Sequence, residues 1–334
     1  MAALDAPTSP RTSGDEPKRR AGTKPARPPV RTITWRAKLR RDRSLLLMTL
    51  PGVVLLVLFA YVPMLGNVMA WEKFSPYRGF LGGPWVGFDN FLRVFDNPLF
   101  LNAVQNTLAI TVFQLVLYFP VPIFLALLLN SVVSPRIRTT IQSIVYLPHF
   151  FSWVLVVAVF QQLFGGAGLL SQTLRGLGQQ PVDIMTNPDT FLLLVTSQSI
   201  WKDAGWGVII FLAALSTVDP AQYEAAVMDG ANRWRRMWHI TLPALRPVII
   251  LLLILRLGDA LTVGFEQLLL QRDMVGAQVS EVIDTYVYFQ GVQFGDWGFA
   301  AAAGLMKGVV SLILVLGANK LAHVFGEAGV YKRS

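Results

Sequence analysis

The sequence predicts an all-α membrane protein with six transmembrane helices and both termini in the cytoplasm. Three observations lead there. The chain is 53% hydrophobic and only 15% charged, whereas a soluble domain carries about 25% charged residues. Uncharged apolar stretches recur along it, each long enough for the roughly 20 residues a helix needs to cross the hydrocarbon core. Lysine and arginine fall unevenly on alternate connections, as expected when cytoplasmic segments retain positive charge. These runs are too long and continuous for barrel strands, and an open sheet edge has no hydrogen-bond partner in lipid.

The elements follow in order. Residues 1–43 carry twelve Lys/Arg, with six prolines in the first 30 positions. Such a segment cannot bury enough apolar surface to fold alone. It reads as a disordered basic cytoplasmic tail beside anionic lipid, with a specific binding arm as the alternative. Much of the net charge of +9 sits here, so that charge does not point to nucleic acid. The first span is expected over residues 45–70. No small-residue cleavage site follows it, so it is not a removed signal. The second is expected near 104–129 and the third near 141–164, with Pro120, Pro122 and Pro148 bending them. The fourth, 191–215, contains Lys202 and Asp203. The fifth follows Pro247 to about 270 and contains Arg256, Asp259 and Glu266. The sixth, 297–318, has Lys307 near its centre. With the N-terminus inside, 21 Lys/Arg fall on inner segments, 5 on outer loops and 3 within spans. The membrane-spanning body is thus 44–334, with a cytoplasmic loop over 216–246.

That loop holds "EAAVMDGANRWRRMWHITLP", a polar and aromatic stretch between two apolar spans. Asp219 is placed to cap a helix with Pro220 at its first position and Gln222 at its third. Gly230 suits the left-handed position that ends it. A second short helix begins near Asn232, puts Trp234 and Trp238 on one face, and stops at Pro243. Two readings fit these residues: a tryptophan-anchored interfacial hairpin, or a docking element whose small Ala225 and Ala226 admit a partner beside an exposed Glu224.

The spacing of Glu224, Ala225, Ala226, Gly230, Ile240, Leu242 and Pro243 resembles the EAA motif of permease subunits in binding-protein-dependent ABC importers. "YLPHFFSWVLVVAVF", "SIWKDAGWGVIIFLAALSTVDP", "VGFEQ" and "VIDTYVY" are similar to the carbohydrate-importer permeases, in particular the aldouronate or complex-oligosaccharide branch. One departure is Arg272 and Asp273, where that branch usually has Asn-Pro. The resemblance covers about residues 45–333 and implies the type I ABC importer permease fold in a bacterial or archaeal cell membrane. It also implies that the loop couples the spans to separate ATP-binding subunits. The expected assembly has a second, distinct permease, two ATP-binding subunits and an extracytoplasmic sugar-binding protein meeting the loops near 71–100, 165–190 and 271–296. A homodimer of this chain is the alternative pairing.

No G-x-x-x-x-G-K-[ST] string for phosphate binding occurs, so ATP and Mg are expected in the partner, with no cofactor on this chain. There is no cysteine for a thiolate site. His149, His239 and His323 lie on separate segments and form no zinc pattern. A glycan-handling membrane enzyme and a secondary carrier are the other function classes; the sequence shows neither the fixed-spacing carboxylate cluster expected of the first nor the repeated halves expected of the second.

Charges within spans are costly and face a cavity or one another. Turned by about 100° per residue, Arg256, Asp259 and Glu266 share one narrow face of a continuous fifth helix. Trp201 and Trp206 flank Lys202 and Asp203; aromatic faces beside hydrogen-bonding charges suit sugar binding. With Lys307, these eight residues are the candidates for a substrate path. Interhelical pairing, for instance Lys307 with Asp259, is the equally weighted structural reading, and packing is the leading one for the two tryptophans.

Overall fold

The computed structural model describes residues 42–79 and 82–324; the expectation for the basic tail therefore lies almost wholly outside the described residues. Regular structure among them is helical, apart from one isolated bridge between Glu72 and Trp85. The chain divides into two compact units, Met1–Tyr61 and Val62–Ser334. In the first, Arg43–Leu56 is an α-helix followed by a π turn over Val57–Tyr61. All packing described below is within the second unit.

Five helical runs among the described residues are long and apolar enough to cross a membrane: Arg43–Trp71, Pro98–Asn130, Trp153–Gly176, Arg233–Gly258 and Trp297–Val324. A sixth, Pro188–Leu215, passes together with Pro220–Met228 across a bend of 73°. Six candidate crossings thus agree with the apolar pattern; the first carries a π turn, the second and third are interrupted near their prolines as the sequence suggested, and the fifth ends where a continuous helix was expected.

In the second span, Pro98–Phe113 continues through a π turn at Gln114–Tyr118 into Pro120–Asn130. Pro120 has no N–H to donate and its ring crowds the preceding turn. The wider π turn absorbs this, with Phe119 N–H donating to the Gln114 carbonyl. The third span breaks outright: Pro135–Tyr146, a 3₁₀ turn Leu147–Phe150 carrying Pro148, then Trp153–Phe164 capped by the Ser152 hydroxyl.

The fifth span departs furthest from expectation. Its helix begins at Arg233, runs through a π turn at Met237–Thr241 and ends at Gly258. Pro243 therefore does not separate a loop helix from a span. It sits at the start of a helix whose preceding π turn removes the steric conflict. A new helix, Phe265–Val275, starts only after Gly264, whose φ of +88° lies in the left-handed region.

The fourth span, Phe191–Leu215, forms the centre of the second unit. Val208, Phe211, Leu212 and Leu215 pack with Ala126 and Leu129 of the second span and Leu245 of the fifth. Phe191, Leu194 and Val195 pack with Ile110, Phe160 and Leu268. Small residues set the approach, as is common between helices in lipid. A Cβ on Gly205 would lie 2.2 Å from the Val145 carbonyl oxygen, and one on Gly207 would lie 2.7 Å from Pro122.

Three buried glutamines then tie the Phe265–Val275 helix to this span. Gln267 Nε2 donates to Gln198 Oε1 at 2.7 Å, and Gln198 and Gln271 exchange amide hydrogen bonds at 3.0 and 3.1 Å. All three are at most 1% exposed, so the polar groups were removed from solvent only with partners in place.

Gly205→Ala is expected to destabilise the protein by about 1–3 kcal/mol or more, because the obstructing atom is backbone. Gly317→Ala, whose Cβ meets nothing within 4 Å, is expected to be neutral or stabilising. Thermal unfolding in detergent distinguishes the two; equal midpoints would mean that the third and fourth spans do not approach at Gly205.

Candidate functional site

Two regions gather the residues singled out in the sequence. The first is the connection between the fourth and fifth spans. Asp219 Oδ1 accepts from Ala221 N–H at 2.9 Å and caps the helix Pro220–Met228. Its other end closes with Ala231 N–H donating to the Ala226 carbonyl and Gly230 N–H to that of Val227. Gly230 takes a φ of +73°, which this type of helix end requires of its terminal residue. Asn232 Oδ1 then accepts from Arg235 N–H at 2.8 Å and starts the fifth helical run.

Glu224 and Ala225 are exposed and Ala226 is half-buried, so the Glu-Ala-Ala face is open. Ile240 and Leu242 are half-buried on the following helix and Pro243 is exposed. Trp234 and Trp238 are also exposed, as rings placed at an interface are. One direct tie joins the two helices: the Tyr223 hydroxyl lies 3.1 Å from Oγ1 of the buried Thr241. Sequence reasoning missed that tie, because an 18-residue separation between two small polar groups has no periodic signature.

The second region lies at mid-depth. Placing one charge there costs about 2.5–3.5 kcal/mol on insertion scales, so each must find partners or water. Lys202 is buried, and its Nζ donates to the His149 carbonyl at 2.8 Å. That carbonyl lies in the break of the third span, so the lysine satisfies backbone left without a helical partner. Lys202 also lies 5.6 Å from the Trp153 ring and 3.8 Å from Asp203 Oδ1. The same Asp203 oxygen accepts from His149 Nδ1 at 2.9 Å.

Trp206 stacks on the His149 ring at 5.0 Å with planes 13° apart, and Tyr146 lies near-parallel to both. Trp206 remains 47% exposed. Trp201 is separate from this group: it packs against Phe151 and Phe160. The four sequence candidates on the fourth span thus divide. Asp203 and Trp206 join His149 and Tyr146 in a partly open aromatic and acid cluster, while Lys202 and Trp201 serve the third span's break and the core.

Arg256, Asp259 and Glu266 do not share a helix face. The helix ends at Gly258, and Glu266 lies in the next helix. The run from Gly258 to Gly264 combines two glycines with Asp259, Thr262 and Val263, which are weak helix formers. It breaks where Thr111 Oγ1 can donate to the Ala260 carbonyl. Arg256 Nη2 instead donates to Gln114 Oε1 and the guanidinium lies 5.6 Å from the Tyr118 ring. Lys307 does not pair with Asp259 either; its Nζ bonds Asp284 Oδ1 on the Ile283–Tyr288 helix. Asp284 belonged to a motif noted in the sequence, but its contact with the sixth span depends on the loop's fold.

Comparison with known proteins places this geometry. The family described as "Binding-protein-dependent transport system inner membrane component" matches residues 118–323. Protein LplB of Bacillus subtilis (strain 168) is 45% identical, covering 90% of this chain and 94% of its own length. The polygalacturonan/rhamnogalacturonan transport system permease protein YteP of the same organism is also 45% identical, covering 88% and 92%. Among solved structures, a bacterial ABC transporter involved in the import of the acidic polysaccharide alginate aligns with a TM-score of 0.80 at 38% identity. It covers 87% of this chain and 98% of the other. The bacterial alginate ABC transporter in complex with alginate pentasaccharide-bound periplasmic protein gives a TM-score of 0.79 at the same identity, covering 88% and 98%.

Lys307→Met is expected to cost about 1–3 kcal/mol, less than a fully buried pair because both side chains keep some solvent contact. In a double-mutant cycle with Asp284→Asn the two losses are expected to be less than additive by at least about 1 kcal/mol. Strict additivity would show that the two side chains do not act as a pair.

Proposed function

Because the chain belongs to the binding-protein-dependent transport system inner membrane components, we propose that its exposed Glu-Ala-Ala helix is where a separate ATPase drives saccharide import. The chain is a multi-pass permease subunit of an ABC sugar importer, a transport component and not an enzyme. It works with a binding protein, as the family's description states. The remaining assignments are ours: an N-terminus and connecting loop in the cytoplasm, a second and distinct permease, two ATP-binding subunits that hold ATP and Mg, and an extracytoplasmic sugar-binding protein. The loops near residues 71–100, 165–190 and 271–296 would meet that binding protein.

The observation that carries the coupling role is the open face of Glu224 and Ala225 on a helix capped at both ends. Alanines permit close approach by a partner, and the carboxylate is available to a cation. The helix is held to the fifth span by Tyr223 and Thr241, so a displacement of one pulls on the other. The complete seven-residue spacing from Glu224 to Pro243 supports the same reading.

For the saccharide path, the support is the group of Trp206, His149 and Asp203. A sugar ring stacks through its apolar face on an exposed indole, and a carboxylate accepts hydrogen bonds from hydroxyls. Lys202 supports this group through Asp203 and the His149 carbonyl. The relatives' saccharides make an oligosaccharide the best-supported cargo.

Glu224→Lys is expected to leave the chain inserted with its neighbouring permease but to lower capture of the ATP-binding subunits at least about tenfold, since charge reversal replaces an attraction by a repulsion. Co-purification from membranes measures this. Capture at the wild-type level would remove Glu224 from the contact.

A further inference from the structure

We propose that Arg256 is the specificity residue for an acidic sugar, its guanidinium taking the carboxylate of a uronate unit as the saccharide passes mid-depth. This rests on the permease reading above and adds the charge of the substrate and the group that reads it.

The first observation is an imbalance. Lys202 has Asp203 and the His149 carbonyl, and Lys307 has Asp284. Arg256 makes no ion pair with any carboxylate among the described residues. Its partners are the amide of Gln114 and the ring of Tyr118, both neutral. Asp203, the carboxylate of the fourth span, is already engaged by His149 and Lys202. Asp259 is exposed beyond the helix end.

The second observation is how the guanidinium is held. Gln114 is 3% exposed and belongs to the π turn of the second span, so its amide oxygen is fixed. It takes one of the five N–H donors that a guanidinium carries. The Tyr118 ring, four residues on, supports the planar group by cation–π contact. Arg256 itself is only half-buried. The donors left over form a planar fork that matches a carboxylate with two parallel hydrogen bonds.

The third observation is location. Arg256 lies in the last turn before the fifth span breaks, and Gln114 lies in the irregular turn of the second. Non-helical backbone is tolerated at membrane depth where it is buried in protein or lines a water-filled cavity. A cation in a last helical turn also complements the helix dipole, but a lysine would do that equally. A neutral saccharide offers a guanidinium only hydroxyl acceptors, whereas a uronate offers a carboxylate that takes two parallel hydrogen bonds and neutralises the charge.

The test uses the assembled importer, with its neighbouring permease, ATP-binding subunits and binding protein, in liposomes. Uptake is measured for trigalacturonate and for its carboxyl-reduced counterpart, galactotriose. Arg256→Gln is expected to cut trigalacturonate uptake about tenfold or more, the loss of a charge-assisted pair, and Arg256→Lys is expected to restore part of it. Gln114→Glu gives an independent reading. It places an anion against the guanidinium and is expected to lower trigalacturonate uptake similarly, even if Arg256→Gln does not assemble. Trigalacturonate uptake unchanged in Gln114→Glu, or equal losses for both saccharides, would overturn the proposal. Wild-type uptake of galactotriose alone would overturn it while leaving the sugar-importer reading intact. Uptake of neither, from a panel of saccharides that also includes neutral arabinose and glucose oligomers, would instead count against the reading on which it rests.

Discussion

The constraint on which this structure depends is that backbone polar groups at membrane depth have to be satisfied from within the protein. Unbroken helices meet it locally. Here several spans are irregular, and in the second, third and fifth the irregularity is met by a particular group. The π turn of the second span satisfies its own backbone through Phe119 and Gln114. Lys202 serves the His149 carbonyl in the third span's break, and Thr111 serves the Ala260 carbonyl after the fifth. Prolines and glycines make the breaks; polar side chains on neighbouring spans make them tolerable. Part of the interior polarity thus serves these interruptions, while the amides of Gln198, Gln267 and Gln271 and the Lys307–Asp284 pair join one helix to another.

The continuity of the fifth helical run gives these breaks a mechanical meaning. Arg233 and Arg256 stand at its two ends, 23 residues apart, which at 1.5 Å per residue is about 35 Å of helix. One end adjoins the Glu224 helix through Tyr223 and Thr241, and the other reaches the Gln114 and Tyr118 group. A π turn at Met237–Thr241 keeps this rod intact despite Pro243. Had the proline ended the helix, the loop would have been a separate hairpin and a push on it would have been absorbed locally. The sequence alone suggested that stop because a proline after a short amphipathic stretch usually means one. The π turn that prevents it depends on tertiary support for Thr241, which lies outside any local pattern.

The same division runs through what was legible in the residues. The number of spans and the placement of the first, second, fourth and sixth could be read because hydrophobic runs are a property of the chain itself. The caps at Asp219, Gly230 and Asn232 could be read because capping is local chemistry. The shared face of Arg256, Asp259 and Glu266 was an extrapolation of helical period across Gly258 and Gly264, where weak helix formers and a side-chain donor from another span ended the helix. The partner of Lys307 and the role of Lys202 were illegible because both depend on which segments the fold brings together. Glutamines offered a signal that charge counting overlooked. Gln114, Gln198 and Gln271 are as misplaced in apolar surroundings as any charge, and each proves to join separate helices.

Two kinds of polar group therefore coexist within the spans, and their difference bears on the proposed path. The amides of Gln198, Gln267 and Gln271 are reciprocally bonded and buried, which leaves little to offer a ligand and fixes one helix against another. Networks completed in this way rigidify a core. Asp203, Trp206 and Arg256 are partnered on one side and open on the other. A passing solute has to replace its water shell with groups that are already held in place but not fully used, and release must remain easy. A wholly satisfied interior would be stable and closed, whereas a wholly unsatisfied one would not insert. The mixture of fully bonded amides with half-used charged and aromatic groups is what the proposed saccharide path would need.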